Sequence, residues 1–336
     1  MIDTSLPLCD LHRHLDGAIR LETILELADQ HGIELPANDV AGLAPYVHID
    51  GSEPGLLAFL ARFKYLIEIL YDADACRRVA YECVEDAKSE GIDYIELRFS
   101  PWFMAERHGL NPQEVVEACI DGLQAGQRDT GVRANAVGIL SRNYGVETCH
   151  KELDAILVCS DQIAAVDLAG DEAGYPAPLF VDHFKRIRDA GLHVTVHAGE
   201  AAGPQSVWDA IRVLGAERIG HGFRSIEDPL LVEYLVKHDI GLESCPTSNL
   251  HTTTVESYTA HPIRQLAGNG VRFCLNTDDP GISAIDIAHE YNIAAPAVGL
   301  TPEQVRQSQA HGLEMAFLSD AEKAELKLKV SKRGAL

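Results

Sequence analysis

Eight short β-rich runs alternate with stretches of helical periodicity along the chain, and this alternation limits the fold more than any other feature. A strand, a helix and a second strand in one sheet bring the chain back to the same end, so neighbouring strands run parallel. The runs are Leu8 to His12, Asp93 to Phe99, Arg133 to Ile139, Ile163 to Leu168, His193 to His197, Arg218 to Gly220, Ile240 to Ser244 and Arg272 to Asn276. Helices are expected over Asp74 to Ser89, Pro112 to Thr130, Glu147 to Val158, Pro178 to Ala190, Pro204 to Leu214, Asp228 to His238 and His261 to Gly268. Pro112 and Pro204 suit a first helical turn, where a missing N–H is harmless, and Gly91, Gly131 and Gly191 suit helix exits.

A chain of 336 residues fits one parallel barrel of about 250 residues with additions better than two small domains. The expected fold is α/β, a TIM (β/α)8 barrel forming one domain over residues 1–336. The spacing breaks once, because about 80 residues separate the first two runs, too many for one crossover helix. Segment 36–73 therefore reads as a helical insertion, expected as a lid over the mouth where the βα loops gather. Leu56, Leu57, Phe59, Leu60 and Phe63 are its candidate pocket residues, against the plainer reading of a helix packed on the barrel. Further helices are expected at the C-terminus, with Leu326 to Leu336 as a basic, frayed terminal helix.

The net charge of −23 argues against a nucleic-acid partner, which needs clustered Lys and Arg, and favours a small uncharged substrate. The eight cysteines contain no C-x-x-C pair, and several fall in apolar segments, as reduced core residues of a cytosolic protein do. Met1 to Pro7 lacks a basic n-region and an apolar h-region, and no stretch reaches the roughly 18 apolar residues of a membrane helix. A cytoplasmic location without membrane contact is expected; oligomeric state stays open.

Four stretches place metal-binding or proton-transferring side chains at or just beyond strand ends: Cys9 to His14, Thr195 to Glu200, Gly220 to Gly222 and Asn276 to Pro280. In a barrel these ends converge on one opening, so distant residues can share an ion. A lone His or Asp at a strand end is more often a satisfied polar residue or a helix cap. The recurrence at the same end of several strands favours a site, with His12, His14, His197 and Asp278 as ligands of a zinc-type cation. Glu200, just past a strand, reads as general acid/base rather than a helix-start charge. His221 between two glycines reads as orienting an attacking hydroxide, with ligation the lesser alternative. Asp279 cannot point with Asp278 on an extended chain and is placed to accept a hydrogen bond from substrate. Gly170, in Leu168 to Glu172, can offer its backbone N–H to a flat ring, and the absence of a Lys there disfavours a carbamate-bridged two-metal site.

Taken together, these segments resemble the bacterial adenosine deaminases of the metal-dependent amidohydrolase superfamily. The resemblance covers nearly the whole length, from Leu6 to Phe317, and rests on His12-Arg13-His14-Leu15-Asp16-Gly17, Asp167 to Glu172, His197 to Glu200, His221-Gly222, Thr247-Ser248-Asn249 and Thr277 to Pro280. It implies one Zn2+ on His12, His14, His197 and Asp278, Glu200 as proton donor to a purine ring, and His221 acting on the water that attacks carbon 6. It further implies Gly170 and Asp279 at ring nitrogens 3 and 7, and His14 and Asp16 at the ribose 5'-hydroxyl. The implied reaction converts adenosine or 2'-deoxyadenosine to the inosine counterpart with release of ammonia, in purine salvage or nucleoside catabolism. Alternatives are deamination of adenine or a modified adenosine, another hydrolytic chemistry on the same barrel, and a non-catalytic nucleoside binder.

Overall fold

The computed structural model describes residues 1–49, 51, 59 and 61–333. Eight parallel strands follow one another in sequence order: β1 (Cys9–His14), β2 (Tyr94–Phe99), β3 (Arg133–Ser141), β4 (Ile163–Ala169), β5 (His193–Ala198), β6 (Arg218–His221), β7 (Gly241–Ser244) and β8 (Phe273–Leu275). The seam between β8 and β1 carries a parallel bridge between Arg13 and Asp278. The Asp278 N–H donates to the His12 carbonyl and the His14 N–H donates to the Asp278 carbonyl, each at 2.8 Å. The architecture is the expected TIM barrel, and all eight runs are strands within a few residues. β1 reaches two residues beyond its expected end, which puts His14 on the strand with His12.

Strands covered by helices outside and by packed side chains inside need apolar residues on both faces. β2 and β7 are buried throughout. The helix Pro112–Thr130 has the expected bounds, with Pro112 in its first turn and Gly131 closing it in the left-handed conformation. Two expected helices are composite. Pro178 lies in a 3-10 turn, Ala177–Phe180, ahead of the helix Val181–Asp189, and Pro204–Asp209 passes into a π turn, Ala210–Leu214. The helices Leu21–His31, Pro101–Glu106 and Pro246–His251 were not expected from sequence.

The expectation of a frayed C-terminal helix is corrected over the described residues. Helix Asp320–Arg333 begins earlier and buries Leu326 and Val330. Leu326 joins Leu313 and Met315 of the preceding segment in a cluster with Cys9, Tyr94 and Cys274 at the starts of β1, β2 and β8. The C-terminal helices thus plug the barrel end opposite the strand ends that carry His14 and His197. A Cβ on Gly241 would lie 2.5 Å from Met315, so this plug requires glycine at the start of β7.

Within segment 36–73 the described residues form the helix Val40–Val47, a 3-10 turn Ala61–Phe63 and the helix Lys64–Glu68. Leu56, Leu57 and Leu60 lie outside the described residues. Among the described residues no helix is long and apolar enough to cross a membrane.

Candidate active site

His12 and His14 are two residues apart on β1 and therefore share a face. His197 comes from β5, and Asp278 follows β8. Asp278 and His221 both sit at positive φ, 64° and 60°, in a region non-glycine residues enter at a cost of about 1–3 kcal/mol. For Asp278 the two backbone hydrogen bonds to β1 hold this conformation.

The four side chains converge. Asp278 Oδ1 is 3.2 Å from His12 Nε2 and 3.3 Å from His14 Nε2, and the Nε2 atoms of His14 and His197 are 3.3 Å apart. One ligand atom from each of the four lies within 4.8 Å of the others. His12 Nδ1 is 2.8 Å from Glu243 Oε2 and His197 Nδ1 is 2.8 Å from Asp167 Oδ2. A carboxylate only accepts, so the neutral His12 ring carries its proton on Nδ1 and points its Nε2 lone pair at the common centre, while the contact of His197 Nδ1 with Asp167 lacks hydrogen-bond geometry. His12 Nε2 is buried there without a hydrogen-bond partner. Three imidazole nitrogens and one carboxylate, with carboxylates beside the outer nitrogens of His12 and His197, fit a divalent cation. A second grouping of His221, Cys245 and Asp278 is also within ligating reach. Burial, and then Asp278 and Glu290, hold the Cys245 thiol well above its usual range, which disfavours it as a thiolate ligand.

Beneath this cluster the barrel is filled with ion pairs rather than hydrocarbon. Arg98 donates to Asp167 Oδ2 at 2.8 Å and to Glu243 Oε2 at 2.7 Å, while Arg218 reaches Glu243 Oε1 at 2.7 Å and pairs with Glu96. Thr195 donates to Glu243 at 2.8 Å. Against burial, which raises it, His197 and Arg98 hold the Asp167 carboxyl far below the usual range; Arg98 and Arg218 do the same for Glu243. Replacing Arg98 with Met would strip the fully buried Asp167 of its guanidinium partner and take one of two from Glu243. Arg98→Met is expected to destabilise the fold by about 3–5 kcal/mol, read as a lowered urea midpoint.

Beside the cluster lies a cavity of about 300 Å³ whose lining includes His14, Asp16, Gly170, His197, Glu200, His221, Asp278 and Asp279. Every site residue expected from sequence except the fully buried His12 borders it, and His12 meets Asp278 just behind. Phe59, Phe63 and Phe103 form an apolar wall. Phe59 and Phe63 therefore do line a pocket, where the sequence favours the plainer reading of a helix packed on the barrel. Asp279 faces the same cavity as Asp278, contrary to the expectation for an extended chain. The left-handed turn at Asp278 breaks the strand alternation, and Asp279 caps the short helix Pro280–Ser283.

The loop after β5 is held by Glu172, whose carboxylate accepts the N–H groups of Gly199, Glu200, Ala201 and Ala202 at 2.5–3.1 Å. Glu200 is consequently fixed at the cavity wall, with Oε2 3.5 Å from His221 Nε2. Burial, then the negative charges of Asp278 and Glu172, push its carboxyl up to about 8. Burial likewise raises Asp16 to about 7, and burial with Asp278 and Asp16 raises Asp279 well above the usual range. Oδ1 of both aspartates lacks a hydrogen-bond partner, as expected of groups awaiting a polar ligand. Gly170 has φ +105°, and a Cβ there would meet Asn143 Oδ1 at 2.4 Å. The site thus brings together a cluster able to hold a cation, a carboxyl raised by burial, and polar groups without protein partners.

Residues 7–333 match the adenosine deaminase family. The chain belongs to that family. An adenosine deaminase of Vibrio cholerae is 57% identical over 334 residues, covering 99% of this chain and 100% of the relative. Among solved structures, an adenine deaminase from Arthrobacter aurescens superposes with a TM-score of 0.89 at 27% identity, covering 98% of this chain and 100% of that one. An amidohydrolase from Burkholderia ambifaria with bound zinc gives 0.88 at 24% identity over 98% and 91% of the two chains, which shows the shared fold. The family membership makes the chain a deaminase-type amidohydrolase acting on small molecules.

Sequence reasoning missed Glu243, Arg98 and the role of Glu172 in this family member. Glu243 lies in an apolar run, Ile240 to Ser244, where a single acid is itself a signal of a buried partner.

Proposed function

We propose that this chain, acting as one barrel domain, hydrolyses adenosine and 2'-deoxyadenosine to inosine and 2'-deoxyinosine with release of ammonia. The full-length identity of 57% to an adenosine deaminase carries this reading. The cavity supports it, because Glu200 lies beside a cluster able to hold a metal ion and shares the cavity with the unpartnered Oδ1 atoms of Asp16 and Asp279.

His12, His14, His197 and Asp278 hold a zinc ion in this account. Bound there, zinc would supply a hydroxide near neutral pH by acidifying a coordinated water. Glu200 delivers a proton to ring nitrogen 1, which lowers the cost of breaking the aromatic system as the hydroxide adds to carbon 6. The carbon–oxygen bond forms, the proton of the added hydroxyl passes to the exocyclic amine, the bond from carbon 6 to that nitrogen breaks, and ammonia leaves as carbon 6 becomes the product carbonyl. His221 orients the nucleophile. The Gly170 N–H and Asp279 hold ring nitrogens 3 and 7, and His14 with Asp16 meets the ribose 5'-hydroxyl. Phe59 and Phe63 cover the ring from segment 36–73, which serves as the lid. The eight free, buried cysteines support a cytoplasmic location.

Adenine is the competing substrate, given the resemblance to an adenine deaminase at 27% identity. The unpaired Oδ1 of Asp16 favours the nucleoside, since a free base leaves it unpartnered. Inosine against hypoxanthine formed from an equimolar mixture decides: kcat/KM for adenosine is expected to exceed that for adenine by at least about 100-fold. Faster turnover of adenine would remove the ribose assignment.

A further inference from the structure

Behind Glu200 and His221 runs a hydrogen-bond chain that borders neither the cavity nor the ligand cluster. It starts at His261, which is 3% exposed and lies just before the helix Ile263–Gly268. The Ile263 N–H donates to His261 Nδ1 at 3.1 Å. A backbone amide only donates, so this nitrogen carries no proton and the ring proton sits on Nε2. His261 Nε2 is 3.2 Å from Asn249 Oδ1. Burial pushes the imidazole down to about 3, so the ring stays neutral.

This settles the orientation of the Asn249 amide, which geometry alone leaves ambiguous because its oxygen and nitrogen are nearly the same size. With Oδ1 held by His261, the amide presents its NH2 to the site. Asn249 Nδ2 is 3.3 Å from Glu200 Oε1 and 3.2 Å from His221 Nδ1. His221 Nδ1 then accepts, and the His221 proton lies on Nε2, which faces Glu200 Oε2 at 3.5 Å and Asp278 Oδ2 at 3.7 Å.

We propose that His261 and Asn249 are positioning residues: His261 fixes the Asn249 amide, and that amide fixes His221 as the Nε2–H tautomer and engages Oε1 of Glu200, leaving Oε2 to carry the proton. His221 accordingly donates a hydrogen bond toward the nucleophile and does not take its proton. The inference rests on the proposed role of Glu200 as acid. A flipped amide would present a carbonyl to both partners, favouring the Nδ1–H tautomer of His221 and removing a donor from Glu200.

The test compares His261→Leu, which cannot donate, with His261→Gln, which can, in zinc-loaded protein with adenosine as substrate. His261→Leu is expected to lower kcat about 10- to 100-fold, with KM and zinc content within about twofold, and His261→Gln is expected to recover most of the loss. In an Asn249→Ala background His261→Leu should cost nothing further, because the link is already cut. Wild-type kcat in His261→Leu, or multiplicative losses in the double variant, would overturn the proposal. Nitrogen-15 NMR of the histidine rings in the wild-type protein reads the tautomers directly, whether or not the Leu variant folds. Nε2–H at both His261 and His221 is expected, and Nδ1–H at either overturns the proposal. Wild-type protein that releases no ammonia would defeat the proposed function instead, and the ring tautomers would still decide this inference.

Discussion

Replacing Glu200 with Gln is expected to lower kcat for adenosine by about 10²- to 10⁴-fold, with KM and zinc content close to those of the wild type. Gln has nearly the shape of Glu, and its side-chain oxygen can still accept the Asn249 hydrogen bond that Oε1 receives at 3.3 Å. The backbone around it is held by Glu172, not by its own carboxyl, so the loop keeps its place. What the amide cannot do is give up a proton to a ring nitrogen. The same reasoning fixes a pH dependence. Burial with Asp278 and Glu172 raises the Glu200 carboxyl to about 8, so the acid form persists below that pH and is lost as pH rises through it. Wild-type kcat is expected to fall on that alkaline side, and the residual activity of Glu200→Gln to lack that limb. Near-normal turnover in the variant would move the proton donor elsewhere.

Asp278→Ala is expected to lower zinc affinity by more than about 100-fold, the upper range for loss of an outer partner of a metal ligand. Its carboxylate is the point on which His12 and His14 converge, and no other acid in the cluster could take its place. Alanine also strains the φ of +64°, by about 1–2 kcal/mol, so this variant should lose stability as well. Asp278→Asn separates the two effects, because asparagine tolerates the left-handed conformation and keeps the backbone bridge to Arg13. Both variants should lose metal in a chelator competition, while only Ala lowers the melting temperature of the metal-free protein. Zinc held as tightly by Asp278→Asn as by the wild type would remove Asp278 from the ligand set.

The strands and the ligand cluster were legible in sequence for one physical reason. A parallel strand covered on both faces is mostly apolar, so a His at its end, such as His14 or His197, stands out against the run before it. His12 and His14 were readable as a pair through the two-residue period of a strand. The inward turn of Asp279 was not, because it depends on a left-handed residue at Asp278 that no local pattern announces. The ionic layer under the site was equally hidden. Arg98 meets Asp167 and Glu243 only because β2, β4 and β7 face one another across the barrel, and a one-dimensional pattern carries no such pairing. The link from His261 to Glu200 joins three separate segments, and its direction follows from which nitrogen of one ring a backbone N–H occupies. The C-terminal helix looked frayed because its surface residues are basic, while Leu326 and Val330 bury the face that holds it to the barrel.

The most direct measurement is ammonia release from adenosine by the purified protein, repeated after chelation and again after zinc is returned. The account predicts rapid release that chelation abolishes and zinc restores. Release that persists in demonstrably metal-free protein, or none in zinc-loaded protein, would contradict it.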